Sequence, residues 1–279
     1  MKARTIRIGK KTLYVIGLII FLIIIAFPFY WQLITSVKDP ADITKIPTEI
    51  WPSRFSLELY KSVFVNHHLQ IYLLNSIIVA VGAMILTVVI AFPAAYAFAR
   101  INFKFKKIWK NVILLANMFP LIAIVTPMFI IFRQLHLLNT YLGLILPSVI
   151  LTLPMAIWTL IAFIKTLPYE LEEAARIDGA RRRDILLKVV FPLSAPGIFT
   201  TAIIAFISSW NEFMFALVLV TKDEMRTVPI AISMFPGEYS VPWGDMSAAS
   251  IVATLPIIIL VLICQKKIVS GLTSGAVKG

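Results

Sequence analysis

Residues 13–34 read LYVIGLIIFLIIIAFPFYWQLI, a run without an Asp, Glu, Lys or Arg. Five more mainly apolar runs follow, at about 71–99, 112–132, 142–164, 198–220 and 248–269. A helix that crosses a bilayer needs about 20 predominantly apolar residues. In lipid the backbone groups must be satisfied within the chain, so only helices and closed barrels span it. The runs therefore predict an all-α membrane protein with six transmembrane helices. Composition agrees: 59% of the chain is hydrophobic and 14% is charged, where a soluble domain carries about 25% charged residues.

The formal net charge is +12. In a soluble chain that would raise nucleic acid as a partner, but here the basic residues sit beside the apolar runs, where membrane orientation explains them. Lys2, Arg4, Arg7, Lys10 and Lys11 precede the first run. Arg100, Lys104, Lys106, Lys107 and Lys110 follow the second, another cluster follows the fourth, and Lys266, Lys267 and Lys278 close the chain. Only Lys38, Lys45, Arg54, Lys61, Arg133, Lys222 and Arg226 fall on the other side. The positive-inside rule then places both termini in the cytoplasm of a multi-pass protein of the cell's inner (cytoplasmic) membrane. A signal peptide is the alternative for the first run, but the run is too long and no A-x-A site follows it. The expected organisation is a cytoplasmic tail at 1–12, a transmembrane domain at 13–270 with a charged cytoplasmic loop at 165–197, and a cytoplasmic tail at 271–279.

That loop stands out. Lys165, Glu170, Glu172, Glu173, Arg176, Asp178, Arg181, Arg182, Arg183, Asp184 and Lys188 lie within 24 positions, and each would cost about 2.5–3.5 kcal/mol at the bilayer centre. The segment belongs in water or against another protein. Pro168 suits a helix start and Gly179 a helix end, while three glutamates in the first turns complement the helix dipole. A second short helix is expected from about 181 to 190, limited by Pro192. Leu171, Ala174, Ala175 and Asp178 share a face by helical spacing, and the alanines let another surface come close. A solvated amphipathic loop on the headgroups is the plainer alternative, against which the mixture of acids and bases argues.

The segment Glu173-Ala174-Ala175-Arg176-Ile177-Asp178-Gly179 resembles the cytoplasmic EAA signature of the membrane subunits of binding-protein-dependent ABC importers. The signature continues to an aliphatic residue, any residue and Leu-Pro. Here those positions hold Val189, Val190, Phe191 and Pro192, with Val189 for the usual Ile and Phe191 for the usual Leu. SSWNEFMFAL at 208–217 and the ending GLTSGAVKG at 271–279 resemble the MalG-type sugar permeases. The resemblance implies that 173–179 is part of a coupling helix docking in a groove of an ATPase subunit. Glu173 would be its polar anchor, Ala174 and Ala175 its close-packing face, Arg176 and Asp178 its charged flank, and Gly179 its turn. It further implies a second permease subunit, two ATPase subunits and an extracytoplasmic substrate-binding protein. The loop at 234–245, with Gly237, Tyr239 and Trp243, would meet the binding protein. The tail, with Gly271, Gly275 and Lys278, would reach the ATPases.

No G-x-x-x-x-G-K-[ST] loop is present, so ATP and Mg are expected on the partner ATPases, with no cofactor on this chain and no enzymatic activity of its own. The single cysteine, Cys264, rules out an internal disulfide, and His67, His68 and His136 form no metal or Ser-His-Asp pattern. For the substrate path, Glu212 beside Asn211 is the clearest ionisable residue within an apolar run, and such a residue marks a functional site by default; a hydrogen bond across a subunit interface is equally weighted. Asn117 and Asn75 are weaker candidates, each open to an interhelical hydrogen bond, and Trp210, Trp158 and Phe213 offer aromatic faces. In the resembling systems the sugar site lies mainly in the partner permease. An ion-coupled secondary transporter, a membrane enzyme and a permease for a non-sugar solute are the rival readings.

Overall fold

The computed structural model describes residues 2–235 and 241–276. Within them the chain is helical. α1 (Lys2–Val37) leads to a 3-10 turn at Pro40–Asp42 and a short α2 (Glu58–Val65). α3 (Leu69–Arg100), α4 (Lys106–Ala116), α5 (Leu121–Gln134) and α6 (Tyr141–Ile164) follow. The charged loop forms α7 (Glu170–Ile177), α8 (Arg182–Asp184), a wide π turn at Ile185–Val190 and α9 (Phe191–Leu193). α10 (Ala195–Trp210), α11 (Met214–Leu219), a 3-10 turn at Asp223–Met225, α12 (Val228–Ser233) and α13 (Trp243–Ala276) complete the order.

Among the described residues, four helices are long and apolar enough to cross a membrane: Leu13–Ser36, Leu69–Arg100, Tyr141–Ile164 and Trp243–Gln265. Two further spans exist if each bent helix pair counts as one, which gives the expected six. The stretch expected as one helix over 112–132 bends by 95° between α4 and α5. Pro120 accounts for the break, since it caps α5 in an extended conformation that no helix can run through. The fifth run, expected over 198–220, ends its helix at Trp210, turns at 211–213 and resumes as α11.

The chain forms two compact units, 1–69 with 232–255, and 70–231 with 256–279. In the first, α1 exposes apolar side chains such as Leu13, Phe21 and Ile24 around its circumference, as expected of a helix solvated by lipid or another subunit. Near its end the backbone N–H of Ser56 donates to the Val37 carbonyl at 2.8 Å, so the 49–56 strap is held to the helix end. In the second unit, α3 and α6 pack through Ala91, Phe92, Ala95 and Tyr96 against Ala156, Ile157, Leu160 and Ile164, joined by Ile185 and Val190 from the π turn. Thr87 and Thr152 share a buried 2.9 Å hydrogen bond between these helices, which in lipid ties apolar surfaces that have no hydrophobic drive of their own. α10 lies on α6 closely enough that a Cβ on Gly197 would sit 2.5 Å from the Phe163 ring.

Candidate functional site

Glu170, Glu172 and Glu173 occupy the first turn of α7, where the exposed N–H groups favour negative charge. The helix ends in a Schellman arrangement: Gly179 N–H donates to the Arg176 carbonyl at 3.1 Å and Ala180 N–H to the Ala175 carbonyl at 3.0 Å. Gly179 takes φ +80°, with open space where a Cβ would go. Its requirement for glycine is therefore conformational rather than steric. After it, the expected second helix forms over Arg182–Leu193, α-helical at 182–184 and 191–193 and widened into a π turn between them. The helical path runs one residue past Pro192 and stops at Leu193. The wide turn precedes it, Pro192 sits in the first turn of α9 where its missing N–H costs nothing, and the chain bends by 77° into α10.

Two adjacent acids of α7 have opposite fates. Glu173 is exposed, together with Ala174, Arg176 and Asp178, while Ala175 is half-buried against the α3–α6 core. Leu171 and Ile177 are also exposed, Ile177 to 86%. The helix thus presents an outer surface of carboxylates, from Glu170, Glu173 and the capping Asp178, with small side chains and two large apolar groups. Glu172 points the other way and is only 2% exposed. Its Oε1 accepts from Arg100 Nε at 2.7 Å and its Oε2 from the Tyr96 hydroxyl at 3.0 Å. Arg100 Nη2 also donates to the Leu167 carbonyl at 2.7 Å, and its guanidinium lies 5.5 Å from the Tyr169 ring centre. Both carboxylate oxygens are satisfied, so α7 is pinned to the end of α3. Sequence reasoning missed this pin. The available signal was that Glu172 and Ala175 are three apart and hence on one helix face.

The residues expected near a substrate path are scattered. Asn75 is buried and fully engaged: its Nδ2 donates to the carbonyls of Glu224 and Arg226 at 2.8 and 2.9 Å, and its Oδ1 accepts from the Tyr141 hydroxyl at 2.9 Å. It latches α3 to the turn at 223–226. Trp210 is buried beside Phe206, ring centres 5.7 Å apart. Asn211 is exposed and its Nδ2 donates to the Ile207 carbonyl at 2.8 Å, closing the last turn of α10. Glu212 accepts from the N–H groups of Phe215 and Ala216 at 2.7 and 3.1 Å, so its carboxylate caps α11. Asn117 lies at the α4–α5 break, lining a cavity of about 520 Å³ with Phe119, Ile150, Pro154 and Ser208. Ser208, which the sequence did not single out, also lines a smaller cavity between α6 and α10 with Thr159 and Thr201.

Trp243 begins α13 and is exposed; Gly237 and Tyr239 lie outside the described residues. Gly271 and Gly275 fall within α13, which continues through most of the segment expected as a separate tail, and Lys278 lies outside the described residues. Among the described residues, no group of three or more His, Cys, Asp or Glu is placed to hold a metal ion.

The fold defines a multi-pass α-helical membrane protein whose charged loop carries an exposed helix anchored to the end of α3. Residues 87–273 match the family described as binding-protein-dependent transport system inner membrane component, and the chain belongs to it. It is 42% identical over 273 residues to the trehalose/maltose transport system permease protein MalG of Thermococcus litoralis, covering 97% of this chain and 98% of that one. It is 41% identical over 253 residues to the sulfoquinovosyl glycerol transport system permease protein SmoH of Agrobacterium fabrum, covering 91% and 89%. Against the trehalose transport system permease protein SugB of Mycobacterium tuberculosis, identity is 40% over 254 residues, covering 90% and 92%. The fold matches a chain in the crystal structure of a bacterial ABC transporter involved in the import of the acidic polysaccharide alginate. There the TM-score is 0.79 and the identity 22%, over 91% of this chain and 95% of that one.

Proposed function

We propose that this chain is a permease subunit of a sugar-importing ABC transporter. It forms a translocation path with a second permease, receives a sugar or oligosaccharide from a substrate-binding protein, and is driven by ATP hydrolysed with Mg on two separate ATPase subunits. Its own residues bind no nucleotide and perform no covalent step. The observation that carries this reading is the surface of α7: an exposed Glu173 and Ala174 beside exposed Leu171 and Ile177, on a helix anchored from behind through Glu172. Sugar as the transported class rests on the three relatives at 40% identity or more, each named for a glycoside or disaccharide.

The mechanical role of each residue follows from its placement. A free helix end on water would lose motion to its own flexing. Here the Schellman turn at Gly179 fixes the far end, and the Glu172–Arg100–Tyr96 pin ties the helix to α3, which runs the length of a bilayer. A displacement imposed on α7 by a closing ATPase dimer therefore reaches α3 and, through the buried Thr87–Thr152 contact, α6. Asn117 and Ser208, in one cavity, are the polar groups we assign to the path. We place α7 and both termini on the cytoplasmic side, following the basic clusters at the ends of α1, α3 and α13.

Cysteine cross-linking tests the reading. Ala174→Cys, in a Cys264→Ser background, is expected to cross-link to single cysteines in a groove of the cognate ATPase, with a yield that changes on adding ATP. No cross-link to any surface cysteine of a co-purified ATPase would return α7 to a solvated loop. ATP-dependent uptake of an amino acid or ion but no saccharide would keep the coupling and overturn the sugar.

A further inference from the structure

In the first unit, a cavity of about 400 Å³ opens where α1 meets the start of α13, lined by Trp31, Gln32, Thr35, Lys38, Trp243 and Ser247. It is at the end of α1 opposite the basic leader. Such a volume falls within the range of small-molecule sites, which combine apolar or aromatic walls with a few convergent polar groups. Both components are here. Trp31 and Trp243 bring two indoles to one cavity. Thr35 and Ser247 line it as well, each 7% exposed. Each hydroxyl can both donate and accept, so the wall offers an occupant paired hydrogen-bonding groups between two indoles.

Lys38 sharpens the chemistry. It is 1% exposed and among the largest fully buried side chains. Its ammonium donates to the Glu49 carbonyl at 2.5 Å and lies 4.9 Å from the Trp31 ring centre, with no carboxylate in ion-pair reach among the described residues; the nearby Asp42 is paired with Lys45. A lysine ammonium carries three donors, so donor capacity remains. The wall as a whole offers hydroxyls and an amide, which both donate and accept, with one cation and two indole faces. A phosphate would use donors alone. A pyranose uses all of it: its hydroxyls donate and accept, and its C–H faces lie on aromatic rings.

We propose that this cavity is a saccharide-binding subsite of the chain itself, with Trp31 and Trp243 stacking a sugar ring and Gln32, Thr35, Lys38 and Ser247 holding its hydroxyls. The proposal rests on the reading of the chain as a sugar permease and adds a residence for the sugar on this subunit. It also gives Trp243 a role beyond contact with a binding protein.

Site-directed alkylation decides it. Thr35→Cys and, separately, Ser247→Cys are placed in the Cys264→Ser chain of the complete importer in membrane vesicles and labelled with a small polar maleimide. Maltose, trehalose and glucuronate are the probes. An occupied site is shielded in proportion to 1 + [L]/Kd, so labelling is expected to slow about tenfold when a bound probe is at ten times its Kd. Trp243→Ala is expected to shift that protection to higher saccharide concentration. Labelling that no probe slows, in vesicles that still import sugar, overturns the subsite and leaves the sugar permease standing. Cysteines that react in detergent but not in vesicles, whatever the saccharide, show a cavity filled by lipid or a neighbouring helix and also overturn it. Protection by saccharide in vesicles that import none supports the subsite while the transport reading falls.

Discussion

Lys38 and Glu172 are both charged residues removed from water, one in each unit, and their surroundings differ in kind. Glu172 has a guanidinium, a phenol and a place on a helix that needs fixing; both its oxygens are used. Lys38 has one carbonyl, one indole face and a cavity. A buried charge that is completely partnered holds architecture, because its partners would themselves be stranded without it. A buried charge left with spare donors on a cavity wall that also carries two hydroxyls has room for a further partner. The same burial thus reads as a rivet in one region and a receptor in the other.

The largest test of that contrast is to remove each charge. Glu172→Ala leaves Arg100 buried without its carboxylate, a loss of about 3–5 kcal/mol. We expect a marked fall in the thermal stability of the purified importer and in its abundance in the membrane. Replacing Arg100 and Glu172 together with leucine should recover much of the stability, since a buried pair exchanged for apolar groups is often near neutral. Uptake should stay low in the double variant, because the pin is gone. Lys38→Met strands only a carbonyl, at about 1 kcal/mol, and should leave abundance near wild type. A Lys38→Met loss as large as that of Glu172→Ala would erase the distinction between the two regions.

A second test stays within the region of Glu172 and asks whether the turn matters as well as the pin. Gly179→Val forces a β-branched residue into φ +80°, costing about 1–2 kcal/mol, with no side chain in its way. The strain falls on the last turn of α7. We expect ATP hydrolysis to persist with reduced uptake, measured in the same vesicles. Equal loss of both would mean that the turn only helps the chain fold.

These regions were unequally visible in the sequence. The runs at 13–34, 71–99 and 142–164 emerge as continuous helices because lipid solvation asks only for length and apolarity, which composition displays. The run at 112–132 has the same composition, yet Pro120 turns it by 95°; hydropathy carries no direction. The glycine at the end of α7 was legible because φ > 0 has so few tenants. Its neighbour Glu172 differed from Glu173 only by its spacing of three to Ala175, since what draws it inward is Arg100, 72 residues away in the chain. Glu212 shows the converse: an acid in an apolar run marks a function by default, but its oxygens are taken by two N–H groups of the next turn. The Lys38 cavity left no sequence signal, because Trp31 lies in the first apolar run and Trp243 in the loop before the last, with nothing local to relate them.

The smallest effect concerns the strap that closes over Lys38. Asp42 receives hydrogen bonds from Lys45 and Ser53, and these, Lys45 foremost, hold its carboxyl below the usual carboxylate value. A depressed folded value means that the ionised form is favoured by folding. The contribution is complete above the unfolded value, near 3.8, and is lost as pH falls through the folded one. Hydrogen exchange of the 43–52 amides, divided by the intrinsic exchange rate at each pH, should therefore stay unchanged from pH 7 to about 5 and rise only below about 4. In Asp42→Asn that acid-dependent rise should be absent. Because Glu49, whose carbonyl holds Lys38, sits in this strap, loosening it should also weaken saccharide protection of Thr35→Cys in Asp42→Asn at neutral pH. Protection unaltered by that substitution would separate the strap from the cavity and leave Lys38 positioned by α1 alone.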